Sequence, residues 1–194
     1  MSFIARASIA GAFVATVAPA WAHPVFGVTG FAGGLLHALL VPTHVIAVVA
    51  FALLIGQQRW GHGAVIAYAA AIVAGLGAIA MAYVPTRAEE GVLAVAATAG
   101  LLVALARPLP RSVGVLLAGA SGLALGLDSP PEAISLRDAN LALLGTAIGA
   151  VLVLVGLMQI TSRLTRAWQR IGARIVGSWI AASAILVLAL RLVG

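Results

Sequence analysis

No charged side chain interrupts residues 29–58, 60–86, 91–106, 112–127, 139–162 or 175–190. A run of roughly 20 apolar residues crosses a ~30 Å hydrocarbon core as a helix, which rises about 1.5 Å per residue and satisfies its own backbone groups. These runs predict membrane helices at Phe31–Ile55, Ala64–Val84, Gly91–Ala106, Ser112–Leu127, Ala139–Ile160 and Ile175–Leu192. The chain is 63% hydrophobic and 8% charged, whereas soluble domains are about 45–50% apolar and about 25% charged. The expected fold class is therefore all-α, an integral membrane bundle of six transmembrane helices. The connections are short and carry breakers, as at Gly61-His62-Gly63, Arg107-Pro108-Leu109-Pro110 and Asp128-Ser129-Pro130-Pro131, which favours antiparallel neighbours in one bundle.

Residues 1–22 read as a cleavable secretory signal peptide: Arg6 precedes an apolar stretch from Ala7 to Val17, and Ala20-Trp21-Ala22 is a small-x-small site. An uncleaved first helix is the rival reading. Cleavage leaves residues 23–194 as a single six-span domain that begins at His23 outside the cytoplasm. Arg59, Arg107, Arg111, Arg163, Arg166, Arg170 and Arg174 then fall inside, and Arg87, Arg137 and Arg191 outside, as the positive-inside rule expects. This places the chain in the bacterial cytoplasmic membrane with both mature termini outside the cytoplasm. Glu89, Glu90, Asp128, Glu132 and Asp138 also fall outside, so the outer face attracts cations. The formal charge of +6 reports this topology and not a nucleic-acid partner.

Between the last two predicted spans, TSRLTRAWQRIGAR places Arg163, Arg166, Arg170 and Arg174 on one helical face and Leu164, Trp168, Ile171 and Ile175 on the other. That pattern predicts an interfacial helix on an anionic inner leaflet, with the arginines toward phosphates and the tryptophan at headgroup level. Docking of an acidic cytosolic partner is the alternative. Gly30/Gly34, Gly122/Gly126 and Gly145/Gly149 are each spaced by four, a spacing that lets membrane helices approach closely.

His37 and His44 lie seven residues apart inside the first predicted span. On an unbroken helix they share a face but stand roughly 10 Å apart along the axis, too far for one ion bonded to both at about 2 Å. Either they are successive stations on a path, or the helix breaks between them at Pro42, which lacks a backbone donor and clashes with the preceding turn. Imidazole is the commonest protein ligand for nickel, cobalt, copper and zinc. The pair therefore outlines a metal path; the bland reading is that each histidine bonds a neighbouring helix. A mature His23 would add an imidazole beside a free α-amine, a chelate that suits copper, or else form part of a disordered terminus. His62, between glycines, reads as a loop residue.

Several chemistries have no signature here. Cysteine is absent, which removes disulfides, thiolate zinc sites and cysteine nucleophiles. There is no phosphate-loop motif and no recognisable nucleophile–base–orienter set, so an enzyme is not expected. No carboxylate lies mid-span, and the buried relay of many proton-coupled carriers is not visible.

The segments AHP, GFAGGLLHALLVPTHVIAVVAFAL, GLALGLDSPPE and RIVGSWIAASAILVLAL together resemble the HupE/UreJ family over most of the mature chain. The resemblance implies a small six-span membrane protein of hydrogenase or urease maturation, acting as a nickel or cobalt permease. Its first-span pattern of histidine-proline, then aspartate-histidine, maps onto His37 and His44, but Ala38 replaces the proline and Thr43 the aspartate. Where family members carry a later histidine-rich stretch, this chain has GASGLALGLDSPPE, in which Asp128 is the side chain with cation affinity. The expected metal-binding residues are thus His37, His44, His23 and Asp128. The expected activity is facilitated diffusion of a divalent metal, nickel or cobalt ahead of copper or zinc, with no permanently bound cofactor. The alternative is a non-transporting accessory protein that holds metal at the outer face or docks a metalloenzyme maturation partner. A third reading is a packing subunit of a larger membrane complex.

Overall fold

The computed structural model describes residues 29–83, 85–131 and 135–193; the predicted signal peptide, His23 and Glu132 lie outside the described residues. Described residues form seven α-helices: α1 (Gly30–Leu40), α2 (Pro42–Gln58), α3 (His62–Ala80), α4 (Ala88–Leu105), α5 (Arg111–Leu127), α6 (Leu136–Ser162) and α7 (Ala167–Val193). Helices α3, α4, α6 and α7 are each long and apolar enough to cross a membrane. Together α1 and α2 make a fifth candidate, bent by 70°, while α5 is apolar but only 17 residues long.

The first predicted span is thus two helices. Proline disfavours helical geometry in the residue before it, and Val41 is extended, with φ −89° and ψ 114°. α1 ends there on a bond from the Val41 N–H to the His37 carbonyl, 3.1 Å. α2 restarts with Pro42 at its first position, where a missing N–H costs nothing.

α2 runs through the centre, with Ala47, Val48, Ala50, Phe51, Leu54 and Ile55 buried, between α4 and α6. Around it pack three close pairs, α1 with α6, α3 with α5 and α4 with α7. Glycines set these approaches. A Cβ on Gly34 would run into the Ala142 carbonyl, and one on Gly145 or Gly149 into the Phe31 or Leu35 carbonyl. Gly122 and Gly126 do the same against the Tyr68 and Ile72 carbonyls of α3. Gly30 differs from its predicted partner: it starts α1 at φ +61°, and a Cβ there would meet only Asp138 Oδ1 at 3.7 Å. The α4–α7 crossing uses one glycine from each helix, Gly100 against Gly177.

The segment read as an interfacial helix is not a separate element. Arg163 caps α6, and from Ala167 the helix continues without a break through Ile175 to Val193. Nothing in that stretch interrupts it: it has no proline, and a Cβ on Gly172 would meet open space. Trp168 and Ile171 are exposed on its first turns.

The two ends of the bundle differ in charge. At one, Arg191 Nη2 bonds Glu89 Oε1 at 2.7 Å and Arg87 lies 3.7 Å from Glu90. At the other, Gln58 Nε2 donates to the Arg107 carbonyl at 2.6 Å, and Trp60 Nε1 donates to the Leu109 carbonyl at 3.3 Å. The Arg191–Glu89 pair is half-exposed, and surface pairs of this kind contribute about 0–1 kcal/mol. Arg191→Gln is expected to lower stability by less than ~1 kcal/mol, measured by denaturant unfolding in detergent.

Candidate metal site at the broken helix

The break at Val41 turns two distant histidines into neighbours. His37 sits in the last turn of α1 and His44 in the first turn of α2. Their ring centroids are 5.0 Å apart, in an edge-to-face arrangement. Two imidazoles sharing an ion at ~2 Å bonds have nitrogens at most ~4 Å apart, a separation that rings this close reach by side-chain rotation.

Asp128 completes the group from 84 residues away in sequence. It caps α5 at its C-terminus, and its Oδ2 lies 3.0 Å from His44 Nε2. The His44 side chain is wholly buried and that of Asp128 is 19% exposed. A carboxylate on one ring nitrogen fixes the imidazole's orientation and leaves the other nitrogen to face a ligand. That other nitrogen, His44 Nδ1, is buried with no hydrogen-bond partner, and so is His37 Nε2. Buried polar groups are overwhelmingly paired, so two orphaned imidazole nitrogens on neighbouring rings are candidates for a ligand that accepts lone pairs.

Thr43, which stands where the family pattern has aspartate, is not the source of a carboxylate; Asp128 supplies one to the same histidine. His62 begins α3 at the opposite end of α2, exposed and away from this group. His23 lies outside the described residues. Among the described residues, no set of three or more His, Asp or Glu is arranged to hold an ion at once. His37, His44 and Asp128 therefore form a lining around the break and not a closed cage.

Two residues beneath the group carried no expectation from the sequence. Phe51, two turns further along α2, stacks on Tyr68 of α3 with ring centroids 5.9 Å apart. Both are fully buried, and the Tyr68 hydroxyl has no partner. A phenol inside an otherwise apolar span was the available signal for Tyr68; its packing against Phe51 was not. With Leu54, Ile55 and Leu93 they fill the centre of the bundle.

Asp128→Asn retains a hydrogen-bonding side chain but removes the charge. Loss of such a supporting carboxylate typically lowers metal affinity 10–100-fold, and about that loss is expected for nickel or cobalt in equilibrium binding to the purified protein.

The chain matches the family described as HupE / UreJ protein over residues 11–187. No curated protein and no solved structure is significantly similar to it. The family comprises membrane accessory and transport proteins linked to nickel and cobalt and is not a known enzyme family. With nearly the whole length matched, and apolar helices fit for a membrane, this protein belongs to the HupE/UreJ family.

Proposed function

We propose that this protein is a nickel or cobalt permease of the bacterial cytoplasmic membrane, working by facilitated diffusion. In this reading α1 and α2 form one broken span, α5 is the short span, and six spans follow a signal peptide ending at Ala22. The arginine asymmetry supports placing the end with Glu89, Glu90, Asp128 and Asp138 outside. A cation drawn to that face meets His37 and His44 first. The observation that carries the reading is the break at Val41, which sets the two rings 5.0 Å apart with two buried nitrogens unpartnered. Non-helical backbone at membrane depth occurs where it lines a cavity or site, and His44 is held on Asp128 in the manner of a supported metal ligand.

A second reading is an accessory protein that holds metal outside or docks a maturation partner. It is supported by the lack of a three-ligand cage among the described residues and by the arginine-rich opposite end. Proteoliposomes carrying a metal-sensing dye in the lumen separate the two. A permease gives a lumenal signal that grows with time and saturates with external Ni²⁺ or Co²⁺. An accessory protein retains metal in proportion to protein and gives no lumenal signal.

A further inference from the structure

The arginine-rich end of the bundle holds an open pocket of about 480 Å³. Its walls are the last turns of α2 and α6, the end of α4 and the first turns of α7. Arg59, Arg170 and Arg174 line it with Gln57, Thr161 and Ser162, and no carboxylate is among the lining residues.

Helix ends offset part of that charge. Arg174 Nε donates to the Ala104 carbonyl at 2.9 Å and Arg170 Nε to the Leu164 carbonyl at 3.4 Å. Each bond occupies one of a guanidinium's five N–H donors. Three helix C-termini contribute about −0.5 each and the start of α7 about +0.5. Against three guanidinium charges, a surplus of about +2 remains around the pocket. Like charges gathered at one concavity raise the local concentration of anions.

The remaining polar atoms narrow the chemistry. Gln57 Nε2 donates to the Val103 carbonyl at 3.3 Å, which leaves its Oε1 buried without a donor. The Thr161 and Ser162 hydroxyls donate to the Leu157 and Gln159 carbonyls of their own helix, so their oxygens are free to accept. The wall thus combines an excess of cationic forks with acceptors that need an O–H or N–H. Phosphate oxygens match the guanidinium fork, and a headgroup hydroxyl, an ammonium or a protonated phosphate oxygen supplies the donor.

We propose that this pocket is a binding site for a phosphate-bearing ligand, either the headgroup of an anionic lipid or free phosphate. The site is independent of the metal site, at the opposite end of α2.

The full chain, purified in detergent, is tested for retention of phosphatidylglycerol against phosphatidylcholine by native mass spectrometry, and for inorganic phosphate by calorimetry. The wild type is compared with Arg170→Gln/Arg174→Gln, and with Arg107→Gln, an exposed arginine at the same end that does not line the pocket. Binding of either probe is expected to fall on the order of tenfold or more in the double variant and to stay unchanged in Arg107→Gln. Arg174→Lys, which keeps the charge, is expected to retain more binding than Arg174→Gln, and this separates loss of the site from loss of fold. Lipid retained without phosphate binding identifies the headgroup as the source; phosphate binding alone identifies the free anion. Equal losses in Arg107→Gln and the pocket double variant would mean a diffuse basic surface and overturn the proposal. So would a wild type that binds neither probe, or a double variant that binds as the wild type does.

Discussion

Nickel or cobalt uptake at sub-saturating metal is expected to fall more than ~100-fold in proteoliposomes when His37 and His44 are both replaced by alanine. The expected loss exceeds the ~10–100-fold assigned to a supporting carboxylate, because both buried imidazole donors leave at once. No imidazole lies among the residues between them, Ala38 to Thr43, and Asp128 is left as a lone carboxylate beside the ion's position. His44→Ala also leaves a cavity and deprives Asp128 of its partner, so a second variant is needed. Gln at position 44 can still bond Asp128 and fills much of the space, yet cannot replace an imidazole nitrogen. Paired with His37→Ala, it is expected to keep the fold, checked by gel filtration and circular dichroism, and lose the uptake. Wild-type uptake by either folded double variant would reduce the histidines to helix contacts and put the ion's path elsewhere, whereas no uptake by the wild type would remove the permease reading.

How far this group could be read in advance depended on sequence distance. The break near Pro42 was one of two alternatives because proline acts on its own turn and the one before it. The choice between stations and a shared site then rested on a bend of 70°, which no local rule supplies. Asp128 could be picked out as a cation-attracting side chain in GLDSPPE, but not as the partner of His44. That contact depends on how α5 lies against α2, a property of tertiary packing across 84 residues. Glycines show the same division. Pairs spaced by four on one helix are visible as a motif, and Gly122/Gly126 and Gly145/Gly149 do lie at close crossings. The Gly100–Gly177 crossing draws one residue from each of two helices and leaves no periodic trace. At the start of α7, the pattern of Arg166, Trp168, Arg170 and Ile171 could not tell a separate surface helix from the first turns of a long one, because helical periodicity carries no signal of where a helix ends.

Gly145→Ala is expected to destabilise the protein by ~1–3 kcal/mol or more, a large effect for one methyl group. The added Cβ would run into the Phe31 carbonyl, a backbone atom that moves only if α1 moves. Helix α1 carries His37, so the same change is expected to weaken nickel or cobalt binding as well. Gly156→Ala lies on the same helix, and its Cβ would meet nothing within 4 Å. There the methyl only removes glycine's helix penalty, and stability is expected to rise by up to ~1 kcal/mol. Denaturant unfolding in detergent, with metal affinity measured in parallel, compares the two. Equal effects at both positions would mean that the α1–α6 backbone contact does not position the first histidine.

The Phe51–Tyr68 stack and its neighbours Leu54, Ile55 and Leu93 fill the space between the histidines and the arginine-lined pocket. A hydrated or bare divalent ion gains nothing from such a plug, and a single buried charge there would go uncompensated. In the permease reading, each ion moved must therefore wait for the packed helices to rearrange, on the microsecond-to-millisecond scale of such motions or slower. Transport by this protein should then show a carrier's kinetics: one ion per conformational cycle, a ceiling set by the rearrangement, and a steep dependence on temperature where an open pore would show a shallow one.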